Sequence, residues 1–268
     1  MNKKAQFIHV PQTAFRRLKY LSFINQDFTL AETGSSQLIR YKHYRFFYGA
    51  SVVKRKHMHL FQDIKKHVKS QIEKNQIEVE PIERLKPLYF KFRELNLEPG
   101  ECQHFDNVCQ YDVNKAYYTV ARNMGFISEE YFNKYLSLPK HMRLILIGAL
   151  ATRKTIKTYE KGKLVEKELK EDQELRTVFM RIVIETDKVL LQMSKALKDE
   201  FLFYWVDGIT VKDTKKAADV VSYYSSRYNL EFSKDPLKFV RMEQREQLTA
   251  IVNTGTKEKI LMNRKIFK

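Results

Sequence analysis

Cysteine, proline and glycine are scarce in this sequence, which contains two, six and eight of them in 268 residues. Two cysteines argue against a disulfide scaffold and indicate a reducing compartment, so we expect the protein in the cytoplasm. No run of 18 apolar residues could span a membrane, and residues 1–15 lack the apolar core of a signal peptide. The length suits one large domain or two small ones.

Acidic residues are also in the minority, and the excess of positive charge is uneven. The chain has 49 Lys and Arg against 32 Asp and Glu, a formal net charge of +17. Residues 1–70 carry +11 of it, because they hold 14 Lys and Arg against only Asp27, Glu32 and Asp63. Such a bias attracts a polyanion, and nucleic acid is the commonest one.

Aromatic residues lie among the cations in RYKHYRFFYGASVVKRKH, residues 40–57. Cations can hold phosphates while aromatic rings stack on unpaired bases, so this stretch is a candidate nucleic-acid site. The alternative is a solvated strand with its aromatic side chains on the buried face. The candidate phosphate ligands are Arg40, Lys42, Arg45, Lys54, Arg55 and Lys56.

Apolar periodicity indicates a fold that contains both helices and strands. Helices are predicted at 59–75, 114–136, 140–155, 171–200 and 214–229. Strands are predicted at 107–113 and 201–211, in a hairpin at 157–170, and around 230–234, 237–243, 247–253 and 258–262. Strands alternate with helices early in the chain and pair locally later, so we expect an α+β fold with a mostly antiparallel sheet.

Two aspartates stand in apolar, β-rich surroundings, Asp112 at the end of VCQYD and Asp207 inside LFYWVDGITV. A carboxylate in such a place is costly unless it is paired or binds a cation. On neighbouring strands the two could meet, and two carboxylates with a substrate triphosphate form a two-metal site. The structural alternative is that Asp112 caps a helix and that Asp207-Gly208 forms a tight turn between strands.

The stretch YDVNKAYYT, residues 111–119, resembles motif A of the B-family DNA polymerases, Asp-x-x-Ser-Leu-Tyr-Pro-Ser. Asp112 stands on the metal-binding aspartate of that motif, and Tyr117 stands on the tyrosine that screens the sugar. The Ser, Leu, Pro and Ser of the motif are replaced by Lys115, Ala116, Tyr118 and Thr119.

The stretch FYWVDGITV, residues 203–211, resembles motif C of the same family, Tyr-x-Asp-Thr-Asp-Gly-Phe/Ile. With Gly208 as the anchor, Asp207 falls on the second aspartate, while Phe203 replaces the tyrosine and Trp205 replaces the first aspartate. A second register puts Asp207 on the first aspartate and Ile209 on the second, which would cripple the site. We prefer the first register because it keeps Asp-Gly-Ile intact.

Two further motifs of the family have weaker counterparts. RLILIGALA, residues 143–151, is similar to the fingers motif Lys-x-x-x-Asn-Ser-x-Tyr-Gly. Arg143 takes the place of the lysine that grips the triphosphate, a task that suits a guanidinium fork, and Lys140 is a second candidate. Past motif C, Arg245 in MEQREQLTAIV lies near the position of the primer-holding Lys-x-Tyr element, whose tyrosine is missing.

The resemblance covers about residues 105–255 and implies a polymerase-type palm, an antiparallel sheet with packed helices. This palm would occupy residues 105–268, with a vestigial fingers insertion at about 136–172. Residues 1–104 would be a basic α+β region that contacts nucleic acid, without the acidic motifs of an exonuclease domain. The last 15–20 residues cannot build a thumb, so we expect a protein partner to replace it. A trimmed hand of this kind suggests a phage or mobile-element source.

The function implied by the resemblance is addition of a dNTP to the 3′ end of a DNA primer, with two Mg²⁺ held by Asp112 and Asp207. The alternative is a palm that no longer catalyses and serves as a nucleic-acid-binding or scaffold protein. Loss of the first motif C aspartate, the Lys-x-Tyr element and the thumb favours that alternative. A third hypothesis, an unrelated primase or nuclease, has no separate motif.

Three zinc-type ligands also occur close together in the sequence, at Cys102, His104 and Cys109. A structural zinc site needs four ligands, and a fourth at the usual spacing is missing. We therefore expect no zinc.

Overall fold

The computed structural model describes residues 6–11, 15–16, 25–33, 36–48, 58–81, 83, 89–244 and 248–262. The chain divides into two compact units. The first comprises Met1–Glu73 and Leu136–Phe179, and the second comprises Lys74–Tyr135 and Met180–Lys268. The functional division expected at 1–104 and 105–268 stays a prediction.

The described residues form fifteen strands and six α-helices. The strands are β1 (Gln6–His9), β2 (Phe28–Thr33), β3 (Ser36–Tyr41), β4 (Tyr44–Tyr48), β5 (Phe90–Phe92), β6 (Cys102–Phe105), β7 (Val108–Val113), β8 (Lys154–Glu160), β9 (Lys163–Lys170), β10 (Phe201–Trp205), β11 (Gly208–Lys212), β12 (Phe232–Leu237), β13 (Phe239–Gln244), β14 (Leu248–Asn253) and β15 (Glu258–Met262). The helices are α1 (Met58–Asn75), α2 (Ala116–Asn123), α3 (Glu129–Leu136), α4 (Lys140–Gly148), α5 (Gln173–Leu197) and α6 (Lys215–Tyr228).

The first unit contains a six-stranded sheet in the order β1-β4-β3-β2-β8-β9. Its neighbouring strands are antiparallel except for β1 and β4, which are parallel. Because side chains alternate between the faces of a strand, one face of β2 and β3 presents Phe28, Leu30 and Ile39 to a core that also holds Val10 and Phe15.

Helix α1 has the apolar stripe that the sequence predicts. Leu60, Ile64, Val68 and Ile72 follow one another at intervals of four residues, and all four are buried. This spacing places them on one face of the helix, so the burial of that face rather than intrinsic propensity stabilises α1.

The predicted hairpin at 157–170 is confirmed as β8 and β9, which turn at Lys161-Gly162. Strand β9 lies at the edge of the sheet, and all eight of its residues are exposed. The helix predicted at 140–155 extends too far. Helix α4 ends at Gly148, and Thr155 pairs instead with Glu32 of β2, so its backbone belongs to the ladder between β2 and β8.

The second unit contains two antiparallel sheets. A five-stranded sheet has the order β12-β7-β11-β10-β5, and a four-stranded sheet has the order β15-β14-β13-β6. Side chains of both sheets share one apolar cluster, which includes Phe92, Val108 and Phe203 from the first sheet and Val240 and Met242 from the second. The prediction of an α+β fold with mostly antiparallel sheets is confirmed.

The single helix predicted at 114–136 is wrong, because the structure has two helices there, α2 and α3. Gly125 follows α2 with a φ of +77°, a backbone conformation that glycine adopts readily. The Gly125 N–H donates to the Arg122 carbonyl, and the Phe126 N–H donates to the Ala121 carbonyl. These two bonds form the Schellman motif that ends many helices.

Helix α5, predicted at 171–200, has 25 residues and passes from the first unit into the second after Phe179. Among the described helices, none combines the length and the apolar character needed to cross a membrane.

Truncation of a buried isoleucine in the four-stranded sheet tests the assigned core. Ile251 of β14 is 5% exposed, and its direct partner Ile260 of β15 is 56% exposed. We expect Ile251→Ala to lower the free energy of unfolding by about 2–5 kcal/mol, because it removes packed methylenes from the interior. Ile260→Ala, the control, should change it by less than about 0.5 kcal/mol. Urea denaturation measures both, and equal losses would contradict the burial pattern.

Candidate active site

The strand register brings the two predicted aspartates to the same end of the five-stranded sheet. Asp112 of β7 lies directly opposite Gly208 of β11. Asp207 immediately precedes Gly208, in the two-residue turn that joins β10 to β11, and its carbonyl accepts a 2.9 Å hydrogen bond from the Val113 N–H. Directly opposed Cα atoms in an antiparallel pair are about 4.5–5.5 Å apart. The backbones of these two residues, distant in sequence, are therefore neighbours.

The Asp112 carboxylate lies over Gly208. A Cβ added to that glycine would be 2.1 Å from Asp112 Oδ1 and 3.0 Å from Gln110 Nε2. Gln110 Nε2 in turn donates a 2.6 Å hydrogen bond to Oδ1. The φ of Gly208 is not in the left-handed region, so glycine is required here for space and not for backbone conformation.

The structural alternative for Asp112, a helix cap, does not describe its environment. Helix α2 begins at Ala116, and the residue that precedes it, Lys115, makes no capping hydrogen bond through its side chain. Asp112 therefore caps no helix. In the described part of the chain, no lysine, arginine or histidine forms an ion pair with the half-buried Asp112 carboxylate. An unneutralised carboxylate in this setting favours binding of a cation.

The turn that carries Asp207 has a strained backbone. Val206, its first residue, has a φ of 59°, which a β-branched side chain rarely adopts. The Val206 N–H donates a 2.6 Å hydrogen bond to the carbonyl of Tyr89, which itself has a φ of 62°. The turn expected at Asp207-Gly208 thus exists one residue earlier, with Gly208 already in the strand.

Tyr117 lies beside Asp207. It is the second residue of α2 and is half-buried, and this burial is the main cause of a raised pKa of its hydroxyl. The negative charge of Asp207 raises the pKa further, followed by Tyr89 and Asp187. The role that motif A implies for Tyr117, screening of the sugar, stays a prediction.

Sequence reasoning missed Asp187 of α5, a buried carboxylate in the second unit. Its Oδ1 accepts hydrogen bonds from the Tyr89 N–H at 3.1 Å and from the Tyr204 hydroxyl at 2.8 Å. The sequence spacing could have predicted this burial. Asp187 lies four residues after Val183 and three before Leu190, so it falls on the apolar stripe of the helix.

Arg143 and Lys140 lie on α4, in the first unit. The guanidinium of Arg143 donates a 3.2 Å hydrogen bond to the Leu136 carbonyl, and Lys140 is the first residue of the helix. Their role as triphosphate ligands stays a prediction.

A basic groove in the first unit collects three of the predicted nucleic-acid ligands. Arg40 of β3 and Arg45 of β4 are directly opposed, and Lys42 occupies the turn between these strands. With Lys161 they line a cavity of about 420 Å³, whose lining also includes two acidic residues, Asp27 and Glu160. Lys154, the first residue of β8, is close enough to Arg40 to feel its charge. Burial lowers the pKa of Lys154, and the positive charges of Arg40 and Lys170 lower that pKa further. Lys54, Arg55, Lys56 and Arg245 lie outside the described residues.

The cysteines occupy different environments. Cys102 is exposed, while Cys109 is buried on β7, and burial is the main cause that raises the pKa of its thiol to about 11. His104 contacts Asp106 at 3.1 Å. No group of three or more His, Cys, Asp or Glu side chains suited to a metal is found in the described ranges.

The chain has similar solved structures but no matching family model or curated protein. Among solved structures, the chain is similar to a family B DNA polymerase from the hyperthermophilic archaeon Pyrobaculum calidifontis, with a TM-score of 0.37 and 13% sequence identity. The match covers 75% of this chain and 33% of the polymerase chain.

A methyl group at Gly208 tests the close approach of Asp112. We expect Gly208→Ala to lower the free energy of unfolding by about 1–3 kcal/mol, because its Cβ must displace the carboxylate from its place over the strand.

Gly148→Ala is the matched control, because an added Cβ there meets nothing within 4 Å. At the end of α4 it should be neutral or stabilise the protein by up to about 1 kcal/mol. Chemical denaturation measures both variants, and unchanged stability of Gly208→Ala would contradict the described position of Asp112.

Proposed function

We propose that this chain is a polymerase-like nucleotidyltransferase, which adds dNTPs to a primer 3′ end at a site built from Asp112 and Asp207. The observation that carries the proposal is the register of β7 with β11. It sets Asp112 opposite Gly208 and next to Asp207, so the motif A and motif C segments lie side by side.

The residues at this point fit Mg²⁺. Magnesium prefers oxygen ligands and is commonly held by one or two carboxylates together with substrate phosphates. Asp112 and Asp207 provide carboxylates of this type, and Asp112 is unneutralised by any described cationic side chain. Bound Mg²⁺ would activate the primer hydroxyl and stabilise the negative charge of the triphosphate.

The other residues of the proposed site bind and orient the substrates. Tyr117, with its raised pKa, remains a neutral phenol that can pack against a sugar and exclude a 2′-hydroxyl. Arg143 and Lys140 are proposed as ligands of the triphosphate, because a guanidinium fork and an ammonium group both suit phosphate oxygens.

The basic groove is proposed to hold the nucleic-acid backbone. Like charges directly opposite each other across two strands are destabilising, and Arg40 and Arg45 form such a pair. A phosphate bound between them would relieve that repulsion. Contacts of this kind hold a strand without reading its sequence.

The second candidate is a nucleic-acid-binding protein that no longer catalyses. One observation favours it: Trp205 occupies the position of the first aspartate of motif C and serves packing. Its ring stacks on Phe90 at 5.3 Å and meets Phe92 edge-on at 6.4 Å. This aromatic cluster leaves the site with one carboxylate fewer than the motif.

Removal of the Asp112 charge tests the catalytic proposal. We expect Asp112→Asn to reduce primer extension in Mg²⁺ by at least about 100-fold, because the remaining carboxylate cannot offset the charge of the transition state. Asp235→Asn is the control. Asp235 is an exposed carboxylate on β12 opposite Gln110, two residues along the same ladder, and its loss should leave extension unchanged.

Extension of a labelled primer by purified protein gives the readout. Equal incorporation by the wild type and Asp112→Asn would exclude the proposed mechanism. A wild-type protein that binds primer-template and incorporates nothing would establish the non-catalytic alternative.

Neutralising the arginine pair tests the groove. Each lost phosphate contact on single-stranded nucleic acid reduces the slope of log K against log salt by roughly 0.7, so Arg40→Gln/Arg45→Gln should reduce it by about 1–1.5. Lys163→Gln/Lys167→Gln removes the same charge from the exposed strand β9 and should leave the slope unchanged. Titration of a labelled oligonucleotide at several salt concentrations measures this, and equal slopes for the two double variants would refute the groove assignment.

A further inference from the structure

Asp187 is a buried carboxylate that the proposed mechanism does not use. It is 6% exposed, in the second unit, on the face of α5 that also buries Leu190 and Val183. Burial of a charge is unfavourable unless hydrogen bonds satisfy its oxygens, so a carboxylate at this place needs donors of fixed position.

Its donors come from the two strands next to the Asp207 turn. Asp187 Oδ1 accepts from the Tyr204 hydroxyl of β10 at 2.8 Å and from the Tyr89 N–H, just before β5, at 3.1 Å. The pKa values of the two tyrosine hydroxyls also reflect their proximity to Asp187. Burial is the first cause of the raised pKa of Tyr204 and of Tyr89, and the charge of Asp187 raises the pKa of both hydroxyls further.

Through Tyr89, a chain of two hydrogen bonds connects Asp187 to the turn that carries Asp207. The amide of Tyr89 donates to Asp187, and the carbonyl of Tyr89 accepts from the Val206 N–H at 2.6 Å. Val206 is covalently joined to Asp207, whose own carbonyl accepts from Val113, the neighbour of Asp112. The turn is thus tied on one side to the strand of Asp112 and on the other, through Tyr89, to α5.

The hydrogen bond between Val206 and Tyr89 stabilises two residues in an unfavourable backbone conformation. Tyr89 and Val206 have φ values of 62° and 59°, in the left-handed region, and the hydrogen bond between them joins the two strained residues. Such conformations persist where surrounding interactions hold them in place, and they cluster at functional sites.

We propose that Asp187 is a positioning residue for Asp207, acting through the Tyr89 backbone to hold the strained Val206-Asp207 turn. This role of Asp187 rests on the proposed function, since it assumes that Asp207 acts in the reaction. The mechanical part of the inference, that Asp187 controls this turn, is independent of catalysis.

Amide hydrogen exchange at Val206 tests the inference directly. We expect Asp187→Ala to speed exchange of the Val206 amide at least tenfold, because Tyr89 loses the acceptor that fixes it, while the Thr210 amide of β11 changes less than threefold. Asp187→Asn keeps an acceptor oxygen in place and should restore slow exchange. Tyr204→Phe removes the hydroxyl donor and leaves the Tyr89 bond, so it should also stay within threefold of the wild type.

Thr186→Val is the matched control on the same helix. Thr186 is equally buried, and its hydroxyl donates to Ile182 within α5 rather than to the sheet. This variant should leave Val206 exchange unchanged. If Asp187→Ala does not fold, Asp187→Glu, which displaces the carboxylate by one methylene, should produce the same rise at Val206.

Unchanged exchange of the Val206 amide in Asp187→Ala, or in Asp187→Glu if the alanine variant does not fold, would overturn the inference. A rise of equal size at the Thr210 amide would also overturn it. In a wild type that extends primers, Asp187→Ala should lower kcat about tenfold and leave KM for the nucleotide within twofold. In a wild type that extends none, the proposed function fails and the exchange result still decides whether Asp187 holds the turn.

Discussion

The hydrogen-bonded ladder between β7 and β11 is the constraint on which the candidate site depends. It sets Asp112 against Gly208, and the absence of a side chain on that glycine leaves room for the carboxylate. A shift by one residue would turn Asp112 to the opposite face of the sheet, where its neighbours Tyr111 and Val113 are buried. The hydrophobic alternation of β7 therefore determines where the charge lies, because burial of those neighbours leaves Asp112 no other face.

Several unfavourable features gather at this end of the sheet. A half-buried carboxylate lies over the backbone, two residues without the freedom of glycine adopt positive φ angles, and a further carboxylate is buried on α5. Each of these is costly by itself, and hydrogen bonds from Gln110, Tyr204 and Tyr89 offset part of the cost. Interiors built for stability alone avoid such groups, so their concentration favours this end of the sheet as the candidate site.

The sequence predicted well those elements whose periodicity is local. The four-residue spacing in α1 and the Lys161-Gly162 turn of the hairpin of β8 and β9 are properties of a short window, and both elements form within a few residues of their predicted bounds. The break between α2 and α3 was missed because apolar and aromatic residues recur along the whole stretch, and the break is made by Gly125 and the two capping hydrogen bonds at the end of α2. Asp187 was missed because its partners, Tyr89 and Tyr204, come from remote segments, and no local window contains them.

Strand β9 has a consequence for how molecules of this protein meet one another. Its outer backbone groups lie at the margin of the six-stranded sheet, which is the place where a strand from another molecule could add. Leu164, Val165 and Leu169 would make such addition attractive, since each is more than half exposed. Lysines and glutamates between them keep the strand hydrated and make a dry contact costly. The charges of KLVEKELK are of the kind that opposes the addition of a further strand at an exposed sheet edge.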